Sequence, residues 1–200
     1  MAVLASDDFN RADENPLASP WATQTGLSNT KLLSNRCSYD IMDGSNRGNF
    51  YGGVAWPADQ WSKAKLYCVS TGGVRQGPAL YVRMAAGAIT NYRFSTDHAA
   101  ATNCNISRFV AGVRTTVVDF TQAWSDGDEW ELWVEGPATA ARLRTFLNGV
   151  QKSDTTDNSS IAAGFPGIGV SGNATITSWS IDDWSGGDFN ATPSVAWWTA

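Results

Sequence analysis

The sequence predicts an all-β protein, a sandwich of two antiparallel sheets. Turn clusters rich in Gly, Asn, Asp and Ser recur about every 8 to 12 residues, the strand-plus-turn spacing of such sandwiches. The segments between them alternate apolar and polar residues or carry β-branched and aromatic runs. No long amphipathic helical pattern is found. At 200 residues, 42% apolar and only 16% charged, the chain has the material for one core and a surface covered largely by Ser, Thr, Asn and Gly.

In chain order, the strand-like segments are "KLLSNRCSYDIM", "KAKLYCVS", "ALYVRMAA", "NYRFST", "RFVAGVRTTVVDF", "EWELWVEG", "RLRTFLNGV", "GIGVSG" and "ATITSWSIDDW". Between them lie the turn signals "MDGSNRGN", "STGGVRQGP", "SDGD", "NG" and "SDTTDNSS". The clearest unit is a hairpin from Asp128 to Val150. Its period of two sends Trp130, Leu132 and Val134 to the core and Glu131, Trp133 and Glu135 to the other face. On the returning strand Leu143 and Leu147 join the core. Arg142, Arg144 and Phe146 then lie beside the glutamates and Trp133, and cross-strand Glu to Arg pairs are expected. Trp21, Trp130, Trp179 and Trp184 also fall at core positions.

Composition excludes several classes of function. A net charge of -5, with no Lys/Arg cluster, repels a phosphate backbone, so no nucleic-acid partner is expected. Cys37, Cys68 and Cys104 cannot all pair within the chain and lack zinc-site spacing, so they read as small buried hydrophobes. No segment approaches the length of a membrane span, so no membrane insertion is expected, and "MAVLASDDFNR" has neither the basic nor the apolar region of a signal peptide. An extracellular-style surface without that signal suggests release by lysis, as for a virus particle.

The run "SDGDEWELWVEGPATAARLRTFLNGV", followed by "GFPGIGVSGNATITSWSIDDWSGGD", resembles the second half of a concanavalin A-like (laminin G-like) jelly-roll domain. The opening "DDFNRADENPLASPW", with "GLSNTKLLSN" after it, is similar to the first strands of such domains in bacterial and phage-encoded proteins. The likeness runs from about Asp7 to Gly187. It implies a jelly-roll domain over residues 1–187, with 188–200 as an extended C-terminal tail. It implies little about activity, because lectins, hydrolases, lyases and virion proteins share this sandwich.

Two chemistries compete for its surface. Laminarinase-type glycoside hydrolases of this fold carry E-x-D-x-E on one strand, and Glu131 and Glu135 match the outer positions, but Trp133 replaces the central Asp. Carboxyl groups four apart on a strand can converge on the roughly 5 Å of a retaining pair. With Arg142 and Arg144 on the next strand, however, neither glutamate is held as a proton donor. No catalytic residue is therefore assigned. His98, the only histidine, lies in a polar loop-like segment with no triad. Tyr81 and Arg83 share one face of "ALYVRM", and Tyr92 and Phe94 one face of "NYRF", a lyase-like but nonspecific set.

Binding rests on the aromatics, because ten tryptophans exceed what one core needs. Sugars stack flat C–H faces on Trp and Tyr while charged and amide groups take their hydroxyls. The carbohydrate-binding candidates are Tyr51, Trp56 and Trp61, together with Trp133 and its neighbours Glu131, Glu135, Arg142 and Arg144. No cofactor is expected. The only candidate is calcium, on Asp7 and Asp8 with Asp182 and Asp183 if the first and last strands pair, or on "YDIMDGSN". In the tail, Trp197 and Trp198 read as anchors for a partner such as a viral capsid or a second copy. The expected role is a non-enzymatic virion surface protein of a phage, a decoration or fibre-type component with a lectin-like fold, and possible polysaccharide binding.

Overall fold

A computed structural model of the chain describes residues 1–39, 46–68, 77–97, 103–158, 161–170 and 179–189. Fifteen strands fill it: β1 (Ala2–Asp7), β2 (Trp21–Thr23), β3 (Thr30–Leu33), β4 (Arg36–Tyr39), β5 (Asn49–Tyr51), β6 (Gln60–Cys68), β7 (Pro78–Met84), β8 (Asn91–Asp97), β9 (Asn103–Val110), β10 (Val113–Thr121), β11 (Asp128–Glu135), β12 (Ala141–Leu147), β13 (Val150–Asp157), β14 (Phe165–Val170) and β15 (Trp179–Asp188). They form two antiparallel sheets packed face to face as a jelly-roll sandwich. The eight-stranded sheet runs β13-β12-β11-β6-β15-β4-β3, with β1 also paired to β15, and the seven-stranded sheet runs β10-β9-β8-β7-β14-β5-β2. Among the described residues no helix is long and apolar enough to cross a membrane.

The core lies where the alternation places it. Leu66, Trp130, Leu132, Val134, Leu143, Ile181 and Trp184 from the eight-stranded sheet meet Leu80, Val82, Tyr92, Phe94, Ile106 and Ile168 from the seven-stranded sheet. Trp21, Trp130, Trp179 and Trp184 are all buried, as their sequence positions predict. A smaller cluster of Phe50, Ala79, Tyr81 and Met84, with Leu27 and Phe165 packed against it, lies on the outer face of the seven-stranded sheet. Over β8 to β10 the same face is mainly polar, with Phe109 beneath Arg93.

The three cysteines are buried thiols. Burial pushes the Cys37 thiol up to about 12, which removes the reactive thiolate at neutral pH. The folded protein should therefore show no thiol reacting with an aromatic disulfide reagent over minutes, and all three should react in guanidinium. Rapid labelling of the folded chain would show that these side chains are not core residues.

Local chemistry explains where the sequence expectations need adjustment. "KLLSNRCSY" is not one strand but a hairpin, because Ser34 and Asn35 both take positive φ (52° and 59°), the two-residue turn that suits strand twist. Ala111 and Gly112 divide "RFVAGVRTTVVDF" in the same way. "SDTTD", expected as a turn, lies within β13, paired to β12 from Leu147↔Val150 to Ala141↔Asp157. An edge strand can be polar on its solvent side, so its sequence lacks the usual strand signal.

The largest departure is Arg83. Its φ of 52° interrupts the alternation of β7, so it does not share a face with Tyr81. The guanidinium is fully buried and donates to the carbonyls of Ala58 (2.8 Å), Ile161 (2.7 Å) and Gly136 (2.6 Å), with Asp59 at 3.5 Å. Tyr92 and Phe94 share a face as expected, but it is the core face, where the Tyr92 hydroxyl donates to Asp157 (2.9 Å). Arg108 completes that bridge from β9 to β13 at 2.6 Å. The tyrosine and arginine set expected of a lyase-like face is thus not assembled.

Candidate functional site

β11 lies between β6 and β12 and presents Glu131, Trp133 and Glu135, all half-buried, on the outer face of the eight-stranded sheet. The Asp128 to Val150 hairpin closes at Asn148 and Gly149, both at positive φ, which sets its register. Glu131 lies opposite Phe146, Trp133 opposite Arg144 and Glu135 opposite Arg142. On the other side Trp133 faces Trp61 and Glu131 faces Lys63.

Cross-strand Glu to Arg pairing occurs, with one partner exchanged. Arg144 pairs with Glu135 diagonally, whereas Arg142 turns to Asp154 on β13, its Nε donating to Oδ1 at 2.9 Å. The misassigned β13 supplied the acid that the sequence reading lacked. Trp133 is held from several sides. Its Nε1 donates to Glu131 Oε2 (2.8 Å), and the Arg144 guanidinium lies 4.8 Å from the indole centroid. The Phe146 ring lies at 4.2 Å and the Phe189 ring, just beyond β15, at 4.9 Å. The result is an apolar strip of Trp133, Phe146 and Phe189, with Glu131, Glu135 and Arg144 beside it and the Lys63–Glu129 pair (3.2 Å) nearby. Such a surface can stack a pyranose ring and hydrogen-bond its hydroxyls at the rim.

The other candidates have different places. Trp61 is on this face but only 5% exposed; it is packed beside Gly187, where a Cβ would meet its Cζ2 at 2.5 Å and the Ala2 carbonyl oxygen at 1.9 Å. It supports the row and offers no open ring face. Tyr51 and Trp56 are not near Trp133 but belong to an aromatic plug around Trp184. Tyr51 stacks on Trp184 at 5.1 Å, and Trp56 donates its Nε1 to the Tyr51 carbonyl (2.8 Å). His98, Trp197 and Trp198 lie outside the described residues.

The acid pairs do not converge on a cation. β1 and β15 pair as anticipated, with Asp7 opposite Trp184. Asp7, however, accepts from Trp21 Nε1 (2.7 Å) and Arg11 (2.6 Å), and Asp183 accepts from Lys65 (2.6 Å). Among the described residues no group of three His, Cys, Asp or Glu could hold a metal ion. Residues 40–45 of the oxygen-rich loop lie outside them.

Sequence reasoning missed the polar half of the other sheet. There Ser95, Asn103, Asn105, Arg114, Asp119 and Thr121 line a groove of about 480 Å³. The signal was the alternation in "NCNIS", which sends Cys104 and Ile106 inward and the asparagines outward.

No family model and no curated protein matches the chain. Solved structures do resemble it. A protein of unknown function with a galectin-like fold from Bacillus subtilis superposes with a TM-score of 0.60 at 10% identity, covering 93% of this chain and 96% of its own. The carbohydrate binding module CBM66 from Bacillus subtilis gives 0.54 at 15% identity over 82% and 91%. A β-1,3-1,4-glucanase (lichenase) from a mouse hindgut metagenome gives 0.59 at 8% identity over 92% and 98%. The VIP36 exoplasmic/lumenal domain, in a form bound to Ca2+ and mannose, gives 0.56 at 12% identity over 88% and 86%. The fold is that of the concanavalin A-like lectins and glucanases, and these neighbours include both enzymes and binding proteins.

Proposed function

We propose that the domain binds a glycan on the outer face of its eight-stranded sheet without cleaving it, with Trp133 as the stacking surface. The observation that carries this reading is the fixed, half-buried indole of Trp133, flanked by Phe146 and Phe189 and bordered by charged hydrogen-bonding groups. The sugar-binding and sugar-cleaving neighbours support a carbohydrate ligand. The two glutamates support binding without cleavage. Each already accepts from a donor of the protein itself, Glu131 from the indole N–H and Glu135 from the Arg144 guanidinium.

Titration of tryptophan fluorescence against a panel of bacterial and plant polysaccharides tests this, with assay of released sugar ends in the same samples. A saturable change with one polymer and no released oligosaccharide is expected. Release that disappears in Glu131→Gln or Glu135→Gln would replace binding by glycoside hydrolysis.

The setting we propose is a phage virion surface, with the domain attached through Trp197 and Trp198. Two adjacent indoles near the end of a polar, Pro-containing segment are the support for that attachment. Deletion of residues 196–200 should weaken assembly or particle docking and leave glycan binding intact. An unchanged sedimentation profile together with unchanged particle binding would contradict it.

A further inference from the structure

We propose that the outer face of the seven-stranded sheet carries a second site, selective for a carboxylate-bearing sugar, built on Asn105 and Arg114 with Arg93 behind them. Strands β8, β9 and β10 lie side by side there, with Arg93 opposite Ser107 and Ser95 opposite Asn105, which in turn faces Asp119. Tyr92, Phe94 and Ile106 take the opposite face and are fully buried, so the outward residues rest on a rigid floor. Above that floor is the 480 Å³ groove, within the usual size of small-ligand pockets.

The polar groups of the groove are tied together around Asn105. Asn105 Oδ1 accepts from the Ser95 hydroxyl (3.2 Å), the Ser107 hydroxyl (3.0 Å) and Arg114 Nη2 (3.3 Å). Three donors on one oxygen fix the carboxamide and turn its Nδ2 away from them, with no partner among the described residues. Arg114 Nε donates to the Ser107 hydroxyl at 2.9 Å. Behind the groove, and not lining it, Arg93 is 9% exposed, donates Nη1 to Asn46 Oδ1 (2.9 Å), lies 4.8 Å from the Phe109 centroid, and leaves its Nε without a partner.

Neither arginine has a carboxylate within ion-pair distance among the described residues. Partial burial and the neighbouring Arg93 charge pull the Arg114 guanidinium below its ordinary range, and the Asp119 carboxylate across the groove offsets this only in part. Two arginines against the one carboxylate of Asp119 leave this patch net positive in a chain of net charge -5. A planar carboxylate offers coplanar acceptor oxygens to a guanidinium and an amide N–H together. The hydroxyls of the same sugar then meet Ser95, Asn103, Asp119 and Thr121, where a bare inorganic anion would leave the groove largely unfilled.

Isothermal titration with trigalacturonate, a hyaluronan tetrasaccharide and a trimannuronate, each beside its carboxyl-reduced form, tests the proposal. At least one uronate should bind, and its reduced form at least 10-fold more weakly. Arg114 is exposed, so Arg114→Gln should stay folded by circular dichroism and lose at least 10-fold in affinity, with Arg114→Lys recovering part of it. Trp133→Ala should leave uronate binding unchanged, which separates this site from the one on the opposite sheet. Failure of all three uronates to bind, equal binding of a reduced form, equal binding by Arg114→Gln, or displacement by equimolar inorganic phosphate would each overturn it.

Discussion

Arg83→Met is expected to lower the thermal midpoint by about 10 °C, the largest stability loss anticipated outside the apolar core. The guanidinium is buried and serves three backbone carbonyls, of Ala58, Gly136 and Ile161, from segments distant in the chain. Methionine fills much of the volume but leaves those carbonyls without their donor. Orphaned buried acceptors cost about 1 to 3 kcal/mol each, and breaking a buried charged network about 3 to 5 kcal/mol overall. For a chain of this size each kcal/mol moves the midpoint by about 2 to 4 °C. Arg83→Lys should recover little, because one ammonium cannot span three carbonyls in the geometry of a planar fork. A shift under about 3 °C in Arg83→Met would mean that the loops it gathers hold together without it.

Trp133→Ala is expected to weaken glycan binding about 30-fold or more, the loss typical of a central aromatic anchor worth about 2 kcal/mol. Stability should change much less, because the ring is only half-buried and lies outside the interior cluster. Trp133→Phe should retain part of the affinity through stacking and lose the hydrogen bond to Glu131. Equal losses of affinity and stability would indicate that the indole is a packing residue. The exposed Arg142–Asp154 pair is screened by solvent, so its removal should affect neither measurement much.

Much of this surface was legible in the sequence because the Asp128 to Val150 hairpin carries two reinforcing signals, strict alternation and an Asn-Gly turn. Together they fixed which residues share a face and that arginines would meet glutamates. The Arg142 to Asp154 exchange was hidden because β13 is a polar edge strand whose composition imitates a turn. Trp61, Tyr51 and Trp56 were poorly placed for a different reason. Ten tryptophans show that some must reach the surface, but only packing decides which ones Gly187 and Trp184 enclose. The orientation of Arg83 depends on a single backbone dihedral that alternation does not reveal. The groove on the second sheet was readable in "NCNIS", yet that segment carries no aromatic residue to draw attention to it.

The central claim is that a glycan lies on Trp133. Observation of the indole N–H resonances during titration with the best polymer from the panel tests it most directly, with Trp133→Phe used for assignment. The account predicts that the Trp133 Nε1–H signal moves saturably while those of buried Trp130 and Trp184 stay fixed. A saturable binding curve with an unmoved Trp133 signal would place the glycan elsewhere and contradict it.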